Sequence, residues 1–80
     1  MKATMMIDDT NGLHARIAVA LVQTANKFVC DINLIYRDKV VDLKSVLGLM
    51  SLGIPSGTSV VVEASGPEAE EAIKAMMEVL

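Results

Sequence analysis

The one histidine of this 80-residue chain, His14, lies in the run Asn11, Gly12, Leu13, His14, Ala15, Arg16, directly ahead of a segment with helical apolar spacing. Imidazole, with an ordinary pKa of about 6.5, keeps a neutral nucleophilic nitrogen near neutral pH and forms a labile N–P bond, so it suits phosphoryl carriage. A helix start carries unpaired N–H groups and about half a positive charge, which proteins commonly neutralise with Asp or Glu. No acidic residue occurs from Leu13 to Cys30, and Arg16 adds positive charge near the start. An anion can occupy that end instead. The helix amides and Arg16 would stabilise a phosphohistidine and the charge of a transferring phosphoryl group without metal ligands from the domain. Taken alone, a single His beside a glycine is more often a surface or cap residue than a nucleophile.

A second helix start shares the pattern. Lys44 and Ser45 precede Val46–Leu52, a stretch without charge. Ser45 is a phosphorylatable hydroxyl, but its own chemistry asks for no more than an ordinary N-cap, worth about 1 kcal/mol. The run Val46, Leu47, Leu49, Met50 and Leu52 holds more apolar side chains than one buried stripe needs. Part of it is expected at the surface as a docking patch, where Met50 would suit several partners, although full burial fits the pattern equally well.

The elements that position these residues follow from periodicity. Lys2–Ile7 reads as a strand running into a turn-rich loop, Asp8 to Gly12. Ala18, Leu21, Val22, Ala25 and Phe28 form one helical stripe. Ile32, Leu34 and Tyr36, then Val40 to Leu43, suggest a hairpin whose turn lacks glycine. Val46–Leu52 is a short helix or a buried strand. Ser59–Glu63 is a β-branched strand, Ser65 to Glu68 has the form of a capping box, and a last helix presents Ala69, Ala72, Ile73, Met76 and Leu80. The order strand, helix, strand, strand, helix, strand, helix predicts a two-layer α/β sandwich, with the sheet covered on one face by its helices.

Composition limits the alternatives. The chain is 52% hydrophobic and 21% charged, which places it with globular proteins and gives one domain, residues 1–80, with a single core. Its net charge is −3 and its seven Lys and Arg residues are scattered, which argues against nucleic acid as the main partner. No apolar run is long enough to span a bilayer and no signal-type segment opens the chain, so a cytoplasmic location is expected. With one Cys and one His there is no disulfide and no structural metal cluster to expect, and Cys30 reads as a small buried residue. A self-contained hydrolase has little support, because no acid or base partner for His14 stands at motif spacing.

The segment Asn11 to Arg16, followed by an Ala- and Val-rich helix, resembles the active-site segment of the HPr phosphocarriers. Leu43 to Ile54, centred on Lys44, Ser45, Val46, Leu47 and Gly48, is similar to the regulatory-serine segment of the same family. The resemblance implies an open-faced sandwich of four antiparallel strands and three helices. It implies a monomeric carrier rather than a turnover enzyme, without cofactor or metal. His14 would accept a phosphoryl group at Nδ1 from enzyme I, itself charged from phosphoenolpyruvate, and pass it to enzyme IIA proteins of the sugar phosphotransferase system, with Arg16 as charge partner. Ser45 would be the target of an HPr kinase/phosphorylase and address a catabolite-control regulator. A phosphate there adds nearly two negative charges at a helix start beside the docking patch, which stabilises the helix and obstructs an acidic partner. The alternative reading is a regulatory module like the catabolite-repression HPr paralogues, which characteristically lack the active-site His. Where the family usually has Pro, this chain has Ile17, which restores an N–H in the first helical turn and loosens the backbone around His14.

Overall fold

The computed structural model describes all 80 residues. Its elements run β1 (Lys2–Ile7), α1 (Ala15–Ala25), β2 (Asp31–Tyr36), β3 (Lys39–Asp42), α2 (Val46–Met50), β4 (Thr58–Ser65) and α3 (Ala69–Val79). The four strands form one antiparallel sheet in the order β1-β4-β2-β3, so the last strand lies between the first and second.

Period-2 alternation sets what each strand contributes. Met5 and Ile7 from β1, Val60, Val62 and Ala64 from β4, and Ile32 and Leu34 from β2 point to the helical layer and are buried. Against them lie Ala18, Leu21, Val22 and Ala25 of α1 and Ala72, Ile73 and Met76 of α3, with Leu13, Leu43, Leu49 and Ile54 closing the cluster. Aliphatic side chains and methionine fill this interior, as the shortage of aromatics requires. The uncovered face carries polar pairs such as Lys2 opposite Glu63, whose charged ends lie 3.5 Å apart.

Four sequence expectations are refined. The α1 stripe stops at Ala25, and Phe28 packs half-buried on the core from the following turn, with Lys44 Nζ donating to the Phe28 and Cys30 carbonyls at 3.2 and 3.0 Å. Cys30 is itself half-buried rather than fully enclosed. The glycine-free β2–β3 turn is made by Arg37 at φ 58°, a conformation glycine usually supplies, with the guanidinium 5.2 Å from the Tyr36 ring centroid. The segment after Ser45 is a helix of five residues, not a strand.

The expected capping box at Ser65–Glu68 does not form. Glu68 is itself the N-cap of α3, at φ 67°, and makes no side-chain cap. Its carboxylate instead accepts the Val29 N–H at 3.0 Å, tying the start of α3 to the loop after α1. A long-range partner has displaced the local one, while Glu70 and Glu71 still supply negative charge to the first turn of α3.

Candidate functional site

The loop before α1 is fixed from the far side of the molecule. Gly12 adopts φ +70°, and a Cβ there would run into the Ile54 carbonyl oxygen. That same oxygen accepts the Leu13 N–H at 2.9 Å. The loop following α2 thus clamps the loop preceding α1, joining the two segments that the sequence singled out. Leu13 is buried and anchors the backbone, and His14 beside it is half-buried.

His14 is the N-cap of α1, with extended backbone at φ −96° and ψ 178°, and its carbonyl accepts the Ala18 N–H at 2.9 Å. The imidazole makes no capping hydrogen bond, and no acidic residue stands in the first turn. The leading amides of the helix, at Ala15, Arg16 and Ile17, therefore have neither an intrahelical acceptor nor a side-chain one. Arg16 is exposed and makes no ion pair. The helix start is free of acids and of side-chain caps, as the sequence suggested, and it carries His14 and the unpaired Arg16.

An acidic neighbour of His14, missed by sequence spacing, is Asp9. Its Oδ1 accepts the Asn11 N–H at 3.0 Å, which curls the loop back, and lies 3.3 Å from Nε2 of His14. Nε2 is shielded from solvent and makes no well-aligned hydrogen bond, so Asp9 is its nearest partner and Nδ1 is the more open nitrogen. The Asn11 N–H chiefly holds the Asp9 carboxyl below its ordinary value; desolvation, the next-largest effect, opposes it, and His14 and then Arg16 add weaker lowering contributions. The signal available in the sequence was the Asp9-Thr10-Asn11 turn, since an Asx turn reverses the chain toward whatever follows.

Ile17 lies half-buried against the core and lines a cleft of about 100 Å³ with Ile7, Asp8, Asp9, Val79 and Leu80. Helix α1 forms from Ala15 without a proline in its first turn, as expected.

Ser45 caps α2 directly. Its Oγ accepts the Gly48 N–H at 3.1 Å, and Gly48 leaves room for that oxygen, because a Cβ there would come within 3.2 Å of it. The apolar run beyond divides. Leu47 is 85% exposed and Met50 41%, Val46 and Leu52 are half-buried, and Leu49 is fully buried. Leu49 is thus a core residue and not part of a docking surface: on a single turn and a half of helix, one side chain must face inward to hold α2 in place. No cluster of His, Cys, Asp or Glu capable of holding a metal occurs, and no helix is long and apolar enough to cross a membrane.

The fold is a two-layer open-faced sandwich that carries a backbone-anchored histidine at an acid-free helix start. The family model described as the HPr component phosphorylation site of the phosphotransferase system matches residues 1–80, and the chain belongs to the HPr family. Among solved structures, HPr-C-His from Thermoanaerobacter tengcongensis is 43% identical, with a TM-score of 0.94 over 99% of this chain and 89% of that one. The phosphocarrier protein HPr from Bacillus anthracis is 36% identical, with a TM-score of 0.94 over 100% of this chain and 95% of that one. The catabolite repression protein Crh of Bacillus subtilis, solved as a dimer with a swapped domain, is 39% identical, with a TM-score of 0.80 over 89% of this chain and 82% of that one. A phosphocarrier or HPr-like role and the open-faced sandwich are thereby established for this chain.

Proposed function

We propose that this chain, acting as one domain over residues 1–80 in the cytoplasm, accepts a phosphoryl group from enzyme I on His14 and passes it to sugar-specific enzyme IIA proteins. The observation that carries the reading is the N-cap position of His14 on a helix whose first turn holds no acid and whose leading amides are free. In such a site the lone pair of Nδ1 attacks phosphorus, and the amides and Arg16 meet the phosphoryl oxygens. Leu47 and Met50, with the half-buried Val46 and Leu52 around them, supply an apolar surface for both partners. Incubation with enzyme I and phosphoenolpyruvate should add one acid-labile phosphate to the wild type and none to His14→Ala. A wild type that gains no phosphate from a cognate enzyme I would refute the carrier role.

Ser45 supports a second, regulatory reading through an HPr kinase/phosphorylase and a catabolite-control regulator. The specific observation is that its hydroxyl caps α2 beside exposed Leu47, so that a phosphate would sit at the helix start and against the surface offered to partners. This branch expects ATP-dependent, acid-stable phosphate on the wild type and none on Ser45→Ala. Retention of His14 favours carriage over a purely regulatory module.

A further inference from the structure

Phosphorylation at Nδ1 leaves both ring nitrogens substituted as long as Nε2 keeps its proton, and the ring then carries a positive charge. His14 offers that second nitrogen to a solvent-shielded place where the Asp9 carboxylate lies 3.3 Å away. The contact is long and poorly aligned with the ring unmodified, as such contacts often are before a site is charged. Asp9 is itself held in position by the Asn11 N–H and kept ionised by its neighbours. The charged side chains around this pair are Asp8, which adjoins Asp9 in the same loop, and Arg16 from α1. Segment α2 carries none, and those of α3, Glu70, Glu71, Lys74 and Glu78, are all exposed, with Lys74 paired to Glu70.

We propose that Asp9 is a positioning residue for phosphotransfer, which holds the proton on Nε2 of His14, keeps Nδ1 as the nucleophile, and balances the ring charge while the phosphoryl group is bound. The proposal rests on the carrier reading of His14 and adds a residue to it. On loading, the Nδ1 lone pair forms the N–P bond, and the donor's bond to phosphorus breaks with its electron pair leaving on the donor. Nε2 retains its proton, so the ring becomes cationic beside the carboxylate. On transfer to an acceptor nucleophile the N–P pair returns to Nδ1, and the ring is neutral again with the proton still on Nε2. A carboxylate that favours the protonated phosphorylated ring makes imidazole the better leaving group, hence a more labile and faster-donating phosphohistidine.

Asp9→Asn separates this role from the turn, because its amide oxygen can still accept the Asn11 N–H while the charge is gone. Wild type, Asp9→Asn and Asp9→Glu are loaded chemically with phosphoramidate, which releases ammonia and needs no enzyme I, and phosphohistidine decay is followed by 31P NMR across pH. Asp9→Asn should decay about tenfold more slowly at pH 7, with its lability displaced to lower pH, and Asp9→Glu should return toward wild type. Equal decay of wild type and Asp9→Asn overturns the proposal. Should Asp9→Asn fail to fold, 15N spectra of wild-type His14 in its neutral form decide: a proton on Nε2 supports the role, and one on Nδ1 contradicts it. A chain that takes nothing from enzyme I would refute the carrier reading itself, whereas equal decay of wild type and Asp9→Asn in a chain that does load from enzyme I would refute the role of Asp9 alone.

Discussion

Helices α1 and α2 begin alike in sequence and differently in structure. Both lack an acid in the first turn, and both have an extended residue at the N-cap. At α2 the cap is a serine whose hydroxyl takes the Gly48 N–H, so one amide is satisfied from within. At α1 the cap is His14, whose ring turns toward Asp9 and leaves the amides open. The difference teaches where each helix can accept phosphate. The α1 start leaves its leading amides without side-chain acceptors, so a phosphoryl group carried on His14 would gain partners there. The α2 start is already complete, so a phosphate on Ser45 would extend a working cap with added charge. Stability is given up at one helix start and kept at the other.

The comparison can be strained first at its anchor. Gly12→Ala should destabilise the fold by about 2–3 kcal/mol, since the new Cβ meets the Ile54 carbonyl at a positive φ. Gly53, also at positive φ but with open space around it, provides the reference: Gly53→Ala should cost about 1 kcal/mol. Urea denaturation of the two variants reads the difference, and equal midpoints would show that the clamp between the loops is not under steric constraint.

Removing the cap at α2 is the next test. Ser45→Ala should lose about 1 kcal/mol of stability while its rate of loading from enzyme I stays near wild type. A collapse of loading in a folded Ser45→Ala protein would mean that the two helix starts are not separable. The converse, His14→Ser, places a capping hydroxyl at α1 and should gain about 0.5–1 kcal/mol as carriage is lost. Thermal melts measured beside labelling assays would show it, and a destabilised His14→Ser would contradict the view that α1 begins uncapped.

The smallest effect concerns the loop alone. Asp9 has a lowered pKa, so the unfolded chain binds its proton more readily than the folded one, and the contribution of Asp9 to stability is complete above its ordinary value of 3.8 and lost as pH falls below it. Amide exchange at Asn11 should accelerate below about pH 4 in the wild type, beyond its intrinsic pH dependence. In Asp9→Asn that added acid response should vanish, and an identical response in both proteins would assign the loop's order to other contacts.

Much of this architecture was legible in the residues. Apolar spacing located α1 and α3, alternation located the strands, and the His14, Arg16 and Ser45 segments carried the family resemblance. What escaped is non-local or too short to show a period. Asp9 stands five residues before His14, and only the turn through Asn11 returns it to the ring. Glu68 had a local capping role on paper, yet the Val29 amide, distant in sequence, claims its carboxylate. Within five residues of α2 no periodicity could separate buried Leu49 from exposed Leu47, because the choice depends on what the core leaves open. The Arg37 turn escaped because glycine was the signal expected for its φ.

The most direct measurement of the central claim is to phosphorylate the protein with enzyme I and phosphoenolpyruvate and locate the phosphate by 31P NMR and mass spectrometry. A single acid-labile phosphate on Nδ1 of His14, absent from His14→Ala and present in Ser45→Ala, is the predicted result. No incorporation, or an acid-stable phosphate that persists in His14→Ala, would contradict it.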